Sequence, residues 1–144
     1  MYAILVKNDN ESHDVLAIIN HRDTDVLAGI DEALASGNPI VAIDGSDHKL
    51  TATYGSVWDG TSFSGGKPSR ASEATQEQLD SFKLYLFLCN NVLVARYGIE
   101  SGSPKIEMFD AALENGVTLV RIPEDQSVLP GGTYNWNGTR FSAV

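Results

Sequence analysis

Apolar residues fall into short blocks separated by polar turns, and their period changes along the chain. Tyr2–Lys7 is an apolar run that reads as a buried strand. Asn8–Asp14 is polar and turn-like, and Val15–Ile19 is a second β-type run. Asp23 or Thr24 is placed to N-cap a helix. Val26, Leu27, Ile30, Ala33 and Leu34 then share one helical face, and Gly37 supplies a left-handed stop. Pro39–Asp44 reads as a strand, with proline where a missing N–H is tolerated. A polar bend at Gly45–Asp47 leads to Leu50–Tyr54.

The pattern then recurs. Ser64–Ser81 is rich in Gly, Pro and Ser and reads as a linker, with a short helix around Glu73–Leu79. Phe82–Tyr97 is long enough and Leu-rich enough for a buried helix. Asn90-Asn91 in its middle suits a hairpin turn, which favours two strands. Ser103 as N-cap and Pro104 as first helical residue open a second long helix. Ile106, Phe109 and Leu113 form its apolar stripe, Gly116 ends it, and Val117–Ile122 is a strand.

Two short segments tie the halves together. Trp58-Asp59-Gly60-Thr61-Ser62-Phe63-Ser64 reappears as Trp136-Asn137-Gly138-Thr139-Arg140-Phe141-Ser142. Asp-Gly and Asn-Gly predict a two-residue type I′ hairpin, flanked each time by aromatics. Residues 30–43 also align without a gap on 109–122, with six of fourteen positions identical. Ordinary composition would give about one. The expected fold class is α+β: a tandem duplication of a β-β-α-β-β unit, pseudo-two-fold, with mainly antiparallel strands. The expected boundaries are 1–66 for the first repeat, 67–81 for the linker and 82–144 for the second. A repeat of this size buries a limited core alone, so the two are expected to pack into one body.

Composition narrows the functions. A net charge of −9 argues against phosphate-mediated nucleic-acid binding. The longest apolar runs are too short for a membrane span. Residues 1–7 lack the basic segment and the length of a signal peptide, so secretion by that route is not expected. The single Cys89 excludes an intrachain disulfide and reads as a small core residue.

Candidate chemistry is sparse. Asp44-Gly45-Ser46-Asp47-His48 gathers oxygens and an imidazole, but no calcium-loop spacing follows, so it reads as a solvated acidic turn. His13, His21 and His48 have no zinc-ligand spacing. Neither a nucleophile elbow nor a Walker loop is present, and nothing selects a pair among the 19 carboxylates. Asn137-Gly138-Thr139 fits a glycosylation sequon but reads as turn chemistry. No catalytic residue, metal ligand or cofactor is expected. The candidate binding residues are Trp58, Phe63, Trp136 and Phe141, for which cross-strand packing is the favoured alternative.

Those repeated hairpins resemble ones found in virion proteins of tailed bacteriophages, near the ends of tail and fibre-associated polypeptides. The resemblance covers Trp58–Ser64 and Trp136–Ser142 and carries no catalytic residue with it. It implies a non-enzymatic structural protein of the tail or head surface, made in the host cytoplasm and residing in the virion. Its partners would be further copies of itself or other virion proteins. Two alternatives remain: a carbohydrate- or receptor-binding module using the hairpin tips, and a small enzyme with an acidic cleft between the repeats.

Overall fold

In the computed structural model, residues 1–37, 40–44, 52–66 and 75–144 are described. Among them, ten strands form two antiparallel five-stranded sheets, accompanied by three helices, a mixed α+β architecture. In order these are β1 (Tyr2–Lys7), β2 (His13–Ile19), α1 (Thr24–Ala35), β3 (Ile40–Asp44), β4 (Val57–Trp58) and β5 (Phe63–Ser64). They are followed by α2 (Gln76–Asp80), β6 (Phe82–Cys89), β7 (Val92–Glu100), α3 (Lys105–Asn115), β8 (Thr118–Arg121), β9 (Thr133–Trp136) and β10 (Phe141–Ala143).

The chain forms two compact units. Unit 1 joins Met1–Arg22 to Phe109–Val144, and unit 2 is the continuous stretch Asp23–Met108. The repeat boundaries mark resemblance along the sequence, whereas the units mark strand pairing, and the two divide the chain differently.

Unit 1 holds the sheet β10-β9-β2-β1-β8. The β1–β2 hairpin sits inside it, β1 against β8 and β2 against β9. Ile4 faces Ala17 and Leu5 faces Val15, so Leu16 is the extra residue of a bulge. The bulge flips parity, which puts Val15 on the same face as Leu5 and Ile18 on the same face as Ala3. That face forms a core of Ala3, Leu5, Val15, Val120, Ile122, Val128 and Phe141. Tyr2 and Ile4 are buried on the other face, so β1 shows no polar alternation. The turn before β2 is tied by Asn8, whose Oδ1 accepts from Ser12 N and Ser12 Oγ at 3.2 and 3.0 Å. β2 begins at His13, earlier than its apolar run, because His13 and Asp14 pair with Tyr134 and Thr133.

Unit 2 holds the sheet β3-β6-β7-β4-β5. Read from the other end it has the same order: a short aromatic hairpin, then a long hairpin, then one edge strand. Asn90 and Asn91 make the β6–β7 turn with φ of 51° and 64°, the left-handed values that a type I′ turn requires. Val94 is the extra residue of a bulge between the Phe87–Ala95 and Leu88–Leu93 pairs. Leu84, Leu86, Leu88 and Leu93 form one core face with Ala52 and Phe63. Leu84 to Cys89 are all buried, which is why the sequence there resembled a helix core.

The helices start and stop where their caps dictate. Asp23 accepts from Asp25 N at 3.0 Å and Val26 N at 3.2 Å, and Val26, Ile30 and Ala33 are the buried stripe of α1. α2 opens with a capping box between Thr75 and Gln78. Ser103 Oγ accepts from Lys105 N at 3.3 Å ahead of α3, whose buried residues are Phe109 and Ala112. Ile106 and Leu113 are only partly buried. Gly37 and Gly116 follow their helices with φ of 72° and 82°. Pro39 and the bend at Gly45–Asp47 lie outside the described residues. So do Leu50, at the start of the Leu50–Tyr54 run, and most of the Gly/Ser-rich linker.

Candidate functional site: two aromatic hairpins

Each hairpin sets a tryptophan against a phenylalanine across its strands. Trp58 pairs with Phe63, ring centroids 4.7 Å apart and planes tilted by 46°. Trp136 pairs with Phe141 at 4.5 Å and 47°. The agreement follows from both pairs being directly opposed in antiparallel strands, where side chains project to the same face. Phe63 and Phe141 are each 6% exposed and belong to the cores of their units. Trp58 and Trp136 are partly buried and lie against those cores. In unit 1 Tyr134 adds a third ring, edge-on to Phe141 at 5.8 Å.

The turns differ from the two-residue type I′ expectation. With Trp58 opposite Phe63, the loop is Asp59–Ser62, four residues long, and Asn137–Arg140 is its counterpart. Only the glycines, Gly60 and Gly138, have positive φ, at 100° each. The first loop residue acts through its side chain. Asp59 Oδ1 accepts from Thr61 N and Ser62 N, both at 2.8 Å. Asn137 Oδ1 accepts from Thr139 N at 2.9 Å and Arg140 N at 2.8 Å. A backbone bond also spans each loop, from Asp59 N to Ser62 O and from Asn137 N to Arg140 O, both at 3.2 Å. The side-chain oxygen adds two acceptor contacts to it, which Asp and Asn supply equally.

Charge separates the two tips. The Ser62 and Thr61 N–H groups hold the Asp59 carboxyl below the ordinary aspartate range. At the second tip the amide of Asn137 carries no charge, and Arg140 forks onto Asp125 at 2.8 and 3.2 Å. That bond keeps the Asp125 carboxyl low, although both groups are exposed. Ser62 stands where Arg140 does, so one tip is anionic and the other carries a cation paired within the molecule.

A contact that the sequence did not show fixes the second hairpin. Gln126 Nε2 donates to Phe141 O at 2.7 Å, and Phe141 N donates to Gln126 Oε1 at 2.8 Å. The amide replaces a neighbouring strand on the outer side of β10. A glutamine in a loop has no local pattern that announces such a bond.

Elsewhere chemistry is thin among the described residues. Burial pushes the Cys89 thiol up, as suits a core cysteine rather than a nucleophile. No group of three His, Cys, Asp or Glu is placed to hold a metal ion among the described residues. Gly45–His48, most of the acidic turn, lies outside them. Among the described residues no helix is long and apolar enough to cross a membrane. The chain matches no protein family, curated protein or solved structure in the comparisons made.

Proposed function

We propose that this protein works by assembling, as a non-enzymatic structural component of a bacteriophage virion, in the tail or on the head surface. The observation that carries the assembly reading is that β3 and β8 are edge strands, at the ends of their sheets away from the aromatic hairpins. β3 and β8 each end a sheet, paired on one side only among the described residues. Val41 on β3 is 49% exposed. An edge with unmet N–H and C=O groups recruits another strand unless it is covered. The virion part of the reading is supported by the resemblance of the two aromatic hairpins. Its partners on this reading are further copies of the chain or other virion proteins, with no nucleic acid, cofactor or covalent chemistry involved. Native mass measurement at micromolar concentration, alone and with candidate virion proteins, tests it. Larger species are the expected result. A strict monomer that ignores every such partner and turns over a small substrate overturns it.

A carbohydrate-binding reading draws on the partly exposed rings of Trp58 and Trp136. It expects glycan-array binding that Trp58→Ala and Trp136→Ala abolish without loss of folding.

A further inference from the structure

Unit 1 is built around strands from a distant part of the chain. In the order β10-β9-β2-β1-β8, the β1–β2 hairpin lies between β9 and β8. β8 and β9 share no ladder with each other, and only the hairpin joins them into a sheet. Its side chains Ala3, Leu5 and Val15 complete the core with Val120, Ile122 and Phe141. Asp14 also receives a bond from Thr133 Oγ1 at 2.8 Å. Residues 109–144 therefore cannot close their sheet or cover their core without a β1–β2 hairpin. Unit 2 needs none, because its five strands all lie within the continuous stretch Asp23–Met108. Between the end of β2 at Ile19 and the start of α1 at Thr24 runs only the link 20–23.

We infer that the β1–β2 hairpin is an exchangeable element whose second binding site is unit 1 of another copy of this chain. Inserted between β8 and β9 of a neighbour, the hairpin makes the same pairs, from Tyr2↔Arg121 to Leu5↔Thr118. The core contacts are also the same, and only the path of the link changes. Reciprocal exchange closes a dimer, and one-way exchange builds an open chain. Self-insertion is favoured by the effective concentration that the link confers. A link this short is also the kind that promotes exchange when strained. The inference rests on the assembly reading and gives it a contact.

The test uses the full-length chain with Cys89→Ala. One sample carries Ala3→Cys and a second carries Val120→Cys, residues that are direct partners across β1 and β8. The two are unfolded together, refolded at high and low concentration, and oxidised. Exchange predicts a disulfide-linked heterodimer whose share rises with concentration. The double variant, Ala3→Cys with Val120→Cys, should close the same bond within one chain and controls for geometry. A second arm avoids cysteines: deleting His21 and Arg22 should shift native mass towards dimer, and inserting a Gly/Ser segment there should shift it towards monomer. Intrachain bonds only, with native mass indifferent to link length, overturn the exchange. Oligomers without the 3–120 cross-link leave assembly standing and sink the hairpin as its means. A parent protein that stays monomeric and ignores virion partners, while the cysteine variants cross-link on concentrated refolding, does the reverse.

Discussion

Phe141 and Phe63 occupy the same place in their hairpins, and each is a core residue as well as a ring partner. Phe141→Ala and Phe63→Ala should each cost about 3–5 kcal/mol, the usual range for a buried aromatic. Trp136→Ala should cost less, about 1.5–3 kcal/mol, because that ring is only partly buried. Urea unfolding of the three variants checks the order, and equal costs for Trp136 and Phe141 would contradict it. Asp59 gives a pH signature. Its folded-state pKa is lowered by the Ser62 and Thr61 N–H groups. The stabilisation is therefore complete above the unfolded-state pKa and is lost as pH falls through the folded one. Asp59→Asn keeps the acceptor oxygen, as Asn137 does in the other hairpin. The variant should show a shallower fall in melting temperature between roughly pH 5 and pH 2. Carboxyl NMR on the parent protein should find Asp59 titrating below the ordinary aspartate value. The sequence pointed to these four aromatics from their repetition alone. It misjudged the turns, because Asp-Gly suits both a type I′ turn and a loop in which the side-chain oxygen supplements one backbone bond.

Among the elements, the β9–β10 hairpin depends on more than its rings. Gln126 supplies both a donor and an acceptor to Phe141. Two neutral bonds of this kind are worth about 1–3 kcal/mol together. Gln126→Ala should cost that much, and Gln126→Glu should recover part of it by keeping the acceptor for Phe141 N. If both variants melt like the parent, the amide does not hold the strand. The elements themselves were largely legible. Asp23, Ser103, Gly37 and Gly116 bound α1 and α3 because caps are local chemistry. The Asn90-Asn91 turn resolved the Phe82–Tyr97 run for the same reason. The bulges at Leu16 and Val94 were not legible, since an extra residue in a ladder shows only against its partner strand.

For the molecule as a whole, strand pairing was the part that the sequence did not show. Repetition marks which segments are alike, and says nothing about whether a hairpin pairs within its own repeat. β1 and β2 pair with β8 and β9, and β6 pairs with β3. That wiring predicts an order of folding. β6 and β7 meet through a two-residue turn, whereas β1 and β8 are separated by the whole of unit 2. Long loops must be closed before distant contacts repay the lost entropy. Pulsed hydrogen exchange should find the amides of Leu84–Leu88 protected before those of Ala3–Leu5 and Leu119–Val120. Simultaneous protection of both sets would contradict it.

The same wiring sets a timetable during synthesis on the ribosome. The β1–β2 hairpin is made before unit 2, and the strands that receive it are made after. At roughly 5–20 residues per second, the hairpin waits several seconds with its apolar residues uncovered. Unit 2 can fold in that interval, since every strand of its sheet has already emerged. On a crowded messenger, nascent chains on neighbouring ribosomes present the same hairpin at the moment another chain releases β8 and β9. Whether a hairpin finds its own chain or its neighbour's is then set by how densely the message is translated.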